Sequence, residues 1–145
     1  MIWNNTSGEE RLQFWKTFRG EITGLPINDQ LDKVAQFCAA IPFGARAVDY
    51  YSPGDWPTPW EMLYHGEFCT SSISIIIFYT LVMVSSEIDV SFLLVEDDDG
   101  IYLLPLVSNQ YILNYELGKV SKYSELRDNF RILKTYSKDQ IKTIT

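Results

Sequence analysis

Residues 73–84 read ISIIIFYTLVMV, and only Ser74 and Thr80 break this apolar run. The run is long for a strand and short for a membrane span, which needs about 20 apolar residues. A central buried helix is therefore expected, and the rest of the chain has to cover it.

The segments before this run have helical spacing. Ser7 and Glu10 form a Ser-x-x-Glu capping box ahead of Leu12, Trp15, Phe18 and Ile22, which predicts a helix to about Glu21, closed by Gly24 and Pro26. Asn28 is the expected cap of a second helix with the apolar stripe Leu31, Val34, Ala35 and Cys38, ended by Pro42. AVDYYSPGDWPTPW follows as an irregular loop. Thr58 and Pro59 then start a short helix, PWEMLYH, with Gly66 supplying the left-handed turn behind it. The long central helix begins near Cys69.

Beyond Val84 the pattern changes. DVSFLLVE and IYLLPLV flank DDDG, an Asp-Gly hairpin signal. QYILNYE reads as a third strand, LGKV as a turn with a short extension, and FRILKTYS as a fourth strand carrying Phe130, Ile132 and Leu133. The closing KDQIKTIT is polar enough to lie on the surface. Helices first and an antiparallel sheet afterwards make an α+β fold, expected as one domain over residues 1–145.

Charge and cysteine usage narrow the function. A formal charge of −7 disfavours a nucleic-acid partner, because binding phosphates requires a basic patch. MIWNNTSGEE lacks the basic and apolar regions of a secretory signal, and two widely separated cysteines do not make a disulfide scaffold. A cytoplasmic protein with reduced thiols and no membrane segment is the expectation. No cofactor motif or phosphate loop occurs, and no metal is expected.

TPWEMLYHGEFCTSSIS contains the one histidine, His65, four positions before Cys69. A cysteine at the first turn of a helix is stabilised as thiolate by free N–H groups and by the positive end of the helix dipole. The order of segments around it resembles the transglutaminase-like superfamily, nearest the bacterial transglutaminase-like cysteine peptidases. In that family a W..TP segment and a Gly-Gly-Asp-Cys type turn open the nucleophile helix. A strand starting His-Ala-Val-Leu and a Val-Leu-Asp-Asn strand then complete the triad. Here WPTPWEMLYHGEFC, VSFLLVEDDDG and YILNYELGKVSKYSELRDNFRILKTYS stand in the same order, across residues 56–137. The same run also resembles small uncharacterised proteins of tailed phages, which implies a place in a virion or its assembly and a host cytoplasm.

Carried over by position, the resemblance makes Cys69 the nucleophile and puts Asn114 where the family has Asp. The histidine position falls on Val90 or Ser91, neither of which takes a proton from a thiol, and Phe68 replaces the acidic residue before the cysteine. His65 would have to fold back across Gly66 to within about 3.2 Å of the sulfur to act as base. Its plainer role is an imidazole at a helix C-terminus, bonded to free carbonyls. A zinc site from His65, Glu67 and Cys69 lacks a fourth donor, and EDDDG lacks the spaced ligands of a calcium loop.

The fold so implied is transglutaminase/papain-like with vestigial Cys69, Asn114 and His65, and no catalytic residue is expected. The expected function is a non-catalytic protein-interaction or structural module. Tyr50, Tyr51, Trp56 and Trp60 are its candidate partner-binding face, although packing of their loop is the commoner use of such aromatics. The competing readings are a cysteine peptidase, amidase or acyltransferase acting through Cys69, and a regulator whose acidic surface binds a host protein.

Overall fold

The computed structural model describes residue 3 and residues 5–41, 48–66 and 68–141. Its helices are α1 (Gly8–Ile22), α2 (Ile27–Ala39), α3 (Pro59–His65), α4 (Thr70–Val84) and α5 (Tyr123–Leu126). Its strands are β1 (Val90–Asp97), β2 (Gly100–Val107), β3 (Tyr111–Leu113), β4 (Val120–Lys122) and β5 (Arg131–Tyr136). The α+β order read from the sequence holds.

Helix α4 is the axis of the molecule. Every residue from Ser71 to Leu81 is buried. Such burial leaves no water for the polar side chains, so each needs a partner within the protein. Thr80 Oγ1 donates to Ile76 O at 2.6 Å and accepts from Trp15 Nε1 at 2.9 Å, joining α1 to α4. Ser74 Oγ donates to Leu103 O at 2.6 Å, joining α4 to β2.

The sheet is antiparallel, in the order β4-β3-β2-β1-β5. The β1–β2 hairpin pairs Asp97 with Gly100, and Asp97 Oδ1 accepts from the N–H groups of Asp99 and Gly100 at the predicted tip. Alternation along the strands sends side chains to two sides. Phe92, Leu94, Leu103 and Val107 join the helices in the larger core. Leu93, Val95, Leu104 and Leu106 meet Leu126 and Phe130 in a smaller core on the other side.

Several boundaries differ from expectation. Pro26 rather than Asn28 takes the cap position of α2, because the first turn closes two residues earlier through Gln30 N to Pro26 O at 3.0 Å. The third strand stops at Leu113, where Asn114 turns left-handed with φ 69°. The extension after LGKV pairs with β3 as a fifth strand, and α5 was not foreseen. In β5 the alternation breaks at a bulge opposite Leu94/Val95, leaving Ile132 exposed. Ile141 is buried despite its polar surroundings, and Pro42 lies outside the described residues.

Arg11 ties α1 to the end of α3. Its guanidinium donates to Leu63 O at 2.6 Å, Tyr64 O at 2.9 Å and Thr6 O at 2.5 Å. The approach is close enough that a Cβ on Gly8 would collide with the Tyr64 carbonyl.

Thr80→Val should cost about 1–3 kcal/mol by denaturant titration, because it strands the buried indole N–H of Trp15. A second expectation concerns Tyr115, which burial and its 2.9 Å hydrogen bond to Asp97 push up to about 12. Its protonated form is the one the fold favours, so its stabilising contribution is complete below pH ~10 and is lost as pH rises towards 12. Melting temperatures between pH 9 and 12 should fall less steeply in Tyr115→Phe than in the parent.

Candidate functional site

Thr58 and Gly66 position this site as the sequence indicates. Thr58 Oγ1 accepts from Glu61 N at 3.4 Å to start α3, and Gly66 ends it with φ 72°. Phe68, buried at the turn into α4, anchors the chain there. Cys69 then takes the N-cap position of α4 in extended conformation. Its sulfur accepts from Ser72 N at 3.4 Å and lies 3.1 Å from Ser72 Oγ. This is the bond an N-cap serine would make, with sulfur in place of oxygen. The thiol is half-buried, whereas Cys38 is fully enclosed and burial pushes its thiol far up.

Asn114 lies beside the same helix turn. Its Nδ2 donates to Thr70 O at 3.0 Å and to Ser74 Oγ at 2.8 Å. Thus Asn114, Ser74 and Leu103 form a continuous chain of bonds between β3, α4 and β2. Among the described residues, the amide nitrogen's partners are these two oxygens, which tie Asn114 to the first turns of α4.

The assignment of the histidine position to Val90 or Ser91 is overturned by the topology. Five residues separate the end of α4 from the start of β1, so both positions lie at the C-terminal end of that helix. Fifteen helical residues at 1.5 Å each put that end about 22 Å from Cys69. The strand that neighbours both α4 and the strand leading to Asn114 is β2. At the Cys69 end, its side chains on the helix side are Ile101 and Leu103. The one β2 side chain with an exchangeable proton, Tyr102, packs on the opposite face against Tyr115, and burial raises its pKa.

His65 is the last residue of α3 and is exposed, its ring edge-on to Tyr64 with centroids 5.5 Å apart. The sulfur's hydrogen-bond partners among the described residues are both on Ser72. The carbonyls expected to receive the imidazole go elsewhere, since Arg11 takes those of Leu63 and Tyr64. That role of Arg11 was missed. An arginine on a helix 52 residues away in sequence gives no local signal of the carbonyl it will meet.

The candidate aromatic face is largely turned inward. Trp56 is 1% exposed, donates to Asp49 O at 2.6 Å and packs edge-on against Phe92 and Tyr136, so it offers no surface to a partner. Trp60 is half-buried between Trp15 and Tyr79. Tyr50 is half-buried too, its hydroxyl donating to Ile101 O at 3.4 Å. Tyr51 alone of the four is well exposed, at 57%. Glu67 lies outside the described residues, and among the described residues no group of three His, Cys, Asp or Glu comes together to hold a metal. No described helix is long and apolar enough to cross a membrane.

No protein-family model and no curated protein sequence matches the chain. Solved structures do match. Calcium-bound LapG of Legionella pneumophila superposes with a TM-score of 0.69 at 19% identity, over 92% of this chain and 78% of that one. A second LapG structure from the same organism gives 0.71 at 19% identity, and EGTA-treated LapG gives 0.72 at 18%; each covers 90% of this chain and 74% of that one. These matches lend nothing to the resemblance to phage proteins. The fold that carries Cys69 at the head of its buried helix is thus the transglutaminase-like fold of LapG.

Proposed function

We propose that this chain is a protein-interaction or structural module on a transglutaminase-like fold, without thiol chemistry of its own. One observation carries the reading: where β2 faces the Cys69 end of α4, it presents Ile101 and Leu103. Aliphatic side chains cannot receive the thiol proton, and the general base is the part of acyl transfer that a cysteine hydrolase needs beside its nucleophile. Asn114 has a structural use of its own, since its Nδ2 ties the end of β3 to α4.

A cysteine hydrolase or acyltransferase is the second reading, favoured by the half-exposed sulfur at a helix N-cap beneath the Ser72 N–H. In that chemistry His65 or a partner's residue would have to act as base.

Alkylation of Cys69 by iodoacetamide, followed from pH 5 to 9 in the parent and in His65→Ala, separates the two. Superimposable rate profiles are expected. A profile displaced by a pH unit or more in His65→Ala would reveal a thiolate–imidazolium pair and overturn the proposal. Asn114→Ala should lower stability by about 1–3 kcal/mol, since it deprives Thr70 O and Ser74 Oγ of their donor. An unchanged unfolding midpoint would remove Asn114 from the structural role assigned to it.

A further inference from the structure

Helices α1 and α4 are linked by two successive rungs. Trp15 and Arg19 stand four residues apart on α1, and Thr80 and Met83 three apart on α4, so each pair lies on one face of its helix. The inner rung is the bond from Trp15 Nε1 to Thr80 Oγ1 at 2.9 Å. The outer rung is Arg19, whose Nη1 donates to Met83 Sδ at 3.8 Å while its guanidinium lies 4.2 Å over the Trp15 ring. Met83 is 37% exposed there, whereas Met62, the other methionine among the described residues, is fully buried in α3.

The outer rung is short of acceptors. A guanidinium carries five N–H donors, and a thioether sulfur is a weak acceptor. Arg19 Nε is buried without a hydrogen-bond partner, and neither ion pair among the described residues involves Arg19. A buried donor left unmet is costly, so a better acceptor at this point is favoured by the donors already in place. A sulfoxide is such an acceptor, and it forms on the methionine sulfur itself. In an apolar core that change disrupts packing. Beside a guanidinium it replaces a weak bond with a charge-assisted one, about twice as strong as a neutral hydrogen bond.

We infer that Met83 is a modification site, oxidised to the sulfoxide by a peroxide, and that Arg19 holds the new oxygen so that oxidation tightens the contact between α1 and α4. In the step, a lone pair on Sδ attacks one peroxide oxygen, an S–O bond forms and the O–O bond breaks. Sulfur is oxidised by two electrons and the peroxide is reduced. The departing hydroxide takes the proton left on the transferred oxygen and leaves as water. Met83 lies in the last turn of α4, at the far end from Cys69. The inference therefore depends neither on the thiol nor on the interaction-module reading.

The test treats the full chain with hydrogen peroxide after Cys69 has been blocked with iodoacetamide. Cleavage after Glu61, Glu67 and Glu87 puts Met62 and Met83 in separate peptides for mass spectrometry. Met83 should oxidise about tenfold faster than Met62 or more, and equal rates would overturn the site. Melting temperatures are then compared before and after oxidation of Met83, in the parent and in Arg19→Leu, which keeps an apolar stem over Trp15 and removes the donors. Oxidation should preserve or raise the melting temperature of the parent and lower that of Arg19→Leu, the two changes differing by about 3 °C or more. Falls of equal size in both would show that Arg19 does not hold the oxygen and overturn the inference. Met83→Gln supplies a side-chain carbonyl near the position of the sulfoxide oxygen without peroxide, and should leave the parent at least as stable. A lower melting temperature in that variant would count against the inference without recourse to any change at Arg19. Met83→Leu should make the melting temperature insensitive to peroxide, and a shift that persists there would assign the effect elsewhere and equally overturn it.

Discussion

The structure depends on enclosing a helix that has no hydrophilic side. Burying α4 from Ser71 to Leu81 gains apolar contact in every direction, but it also takes the hydroxyls of Ser72, Ser74 and Thr80 out of water. The fold answers each of them. Ser72 turns to the Cys69 sulfur, Ser74 bridges Leu103 and Asn114, and Thr80 bridges its own helix and Trp15. These bonds set the rotation and height of α4 against its neighbours more strictly than interchangeable aliphatic contacts can. α1, β2 and β3 are each held to α4 through one of them.

That constraint explains why the residues resembling a triad have structural partners. The polar atoms around the first turns of α4 serve as its cap and its clasp. Cys69 does the work of a capping serine, and Asn114 does the work of a cross-brace. A catalytic arrangement needs the same atoms directed towards a substrate, with a proton acceptor between them. Here Ile101 and Leu103 continue the core up to that point.

The central helix, the Ser7–Glu10 capping box, the Thr58–Pro59 start, the Gly66 stop and the Asp-Gly hairpin were legible because each is a local pattern with a local cause. The histidine position was misread because strand order cannot be counted along the chain. DVSFLLV comes first after the helix, yet it starts at the wrong end of it, and the strand beside Asn114 is the one after. The aromatic loop was half legible. Four large rings in fourteen residues declare that something must be covered, but Trp56 found that something in Phe92 and Tyr136, residues distant in sequence. The exposure of Ile132 could not be seen either, since the bulge shifting its register arises from pairing with β1.

Asn114 has a backbone dihedral of 69°, in the region where side chains other than glycine are strained and where asparagine is among the least penalised. The residue type at this position is therefore under a conformational demand as well as whatever its amide does. A position that must bend left-handed while donating two hydrogen bonds has few occupants open to it. Aspartate, lacking the N–H donors when ionised, would serve the bend and fail the brace. Sequence comparison that scores Asn against Asp here as a lost acid would be measuring the curvature of the main chain and the need for a donor, with catalysis as only one of three influences on the letter.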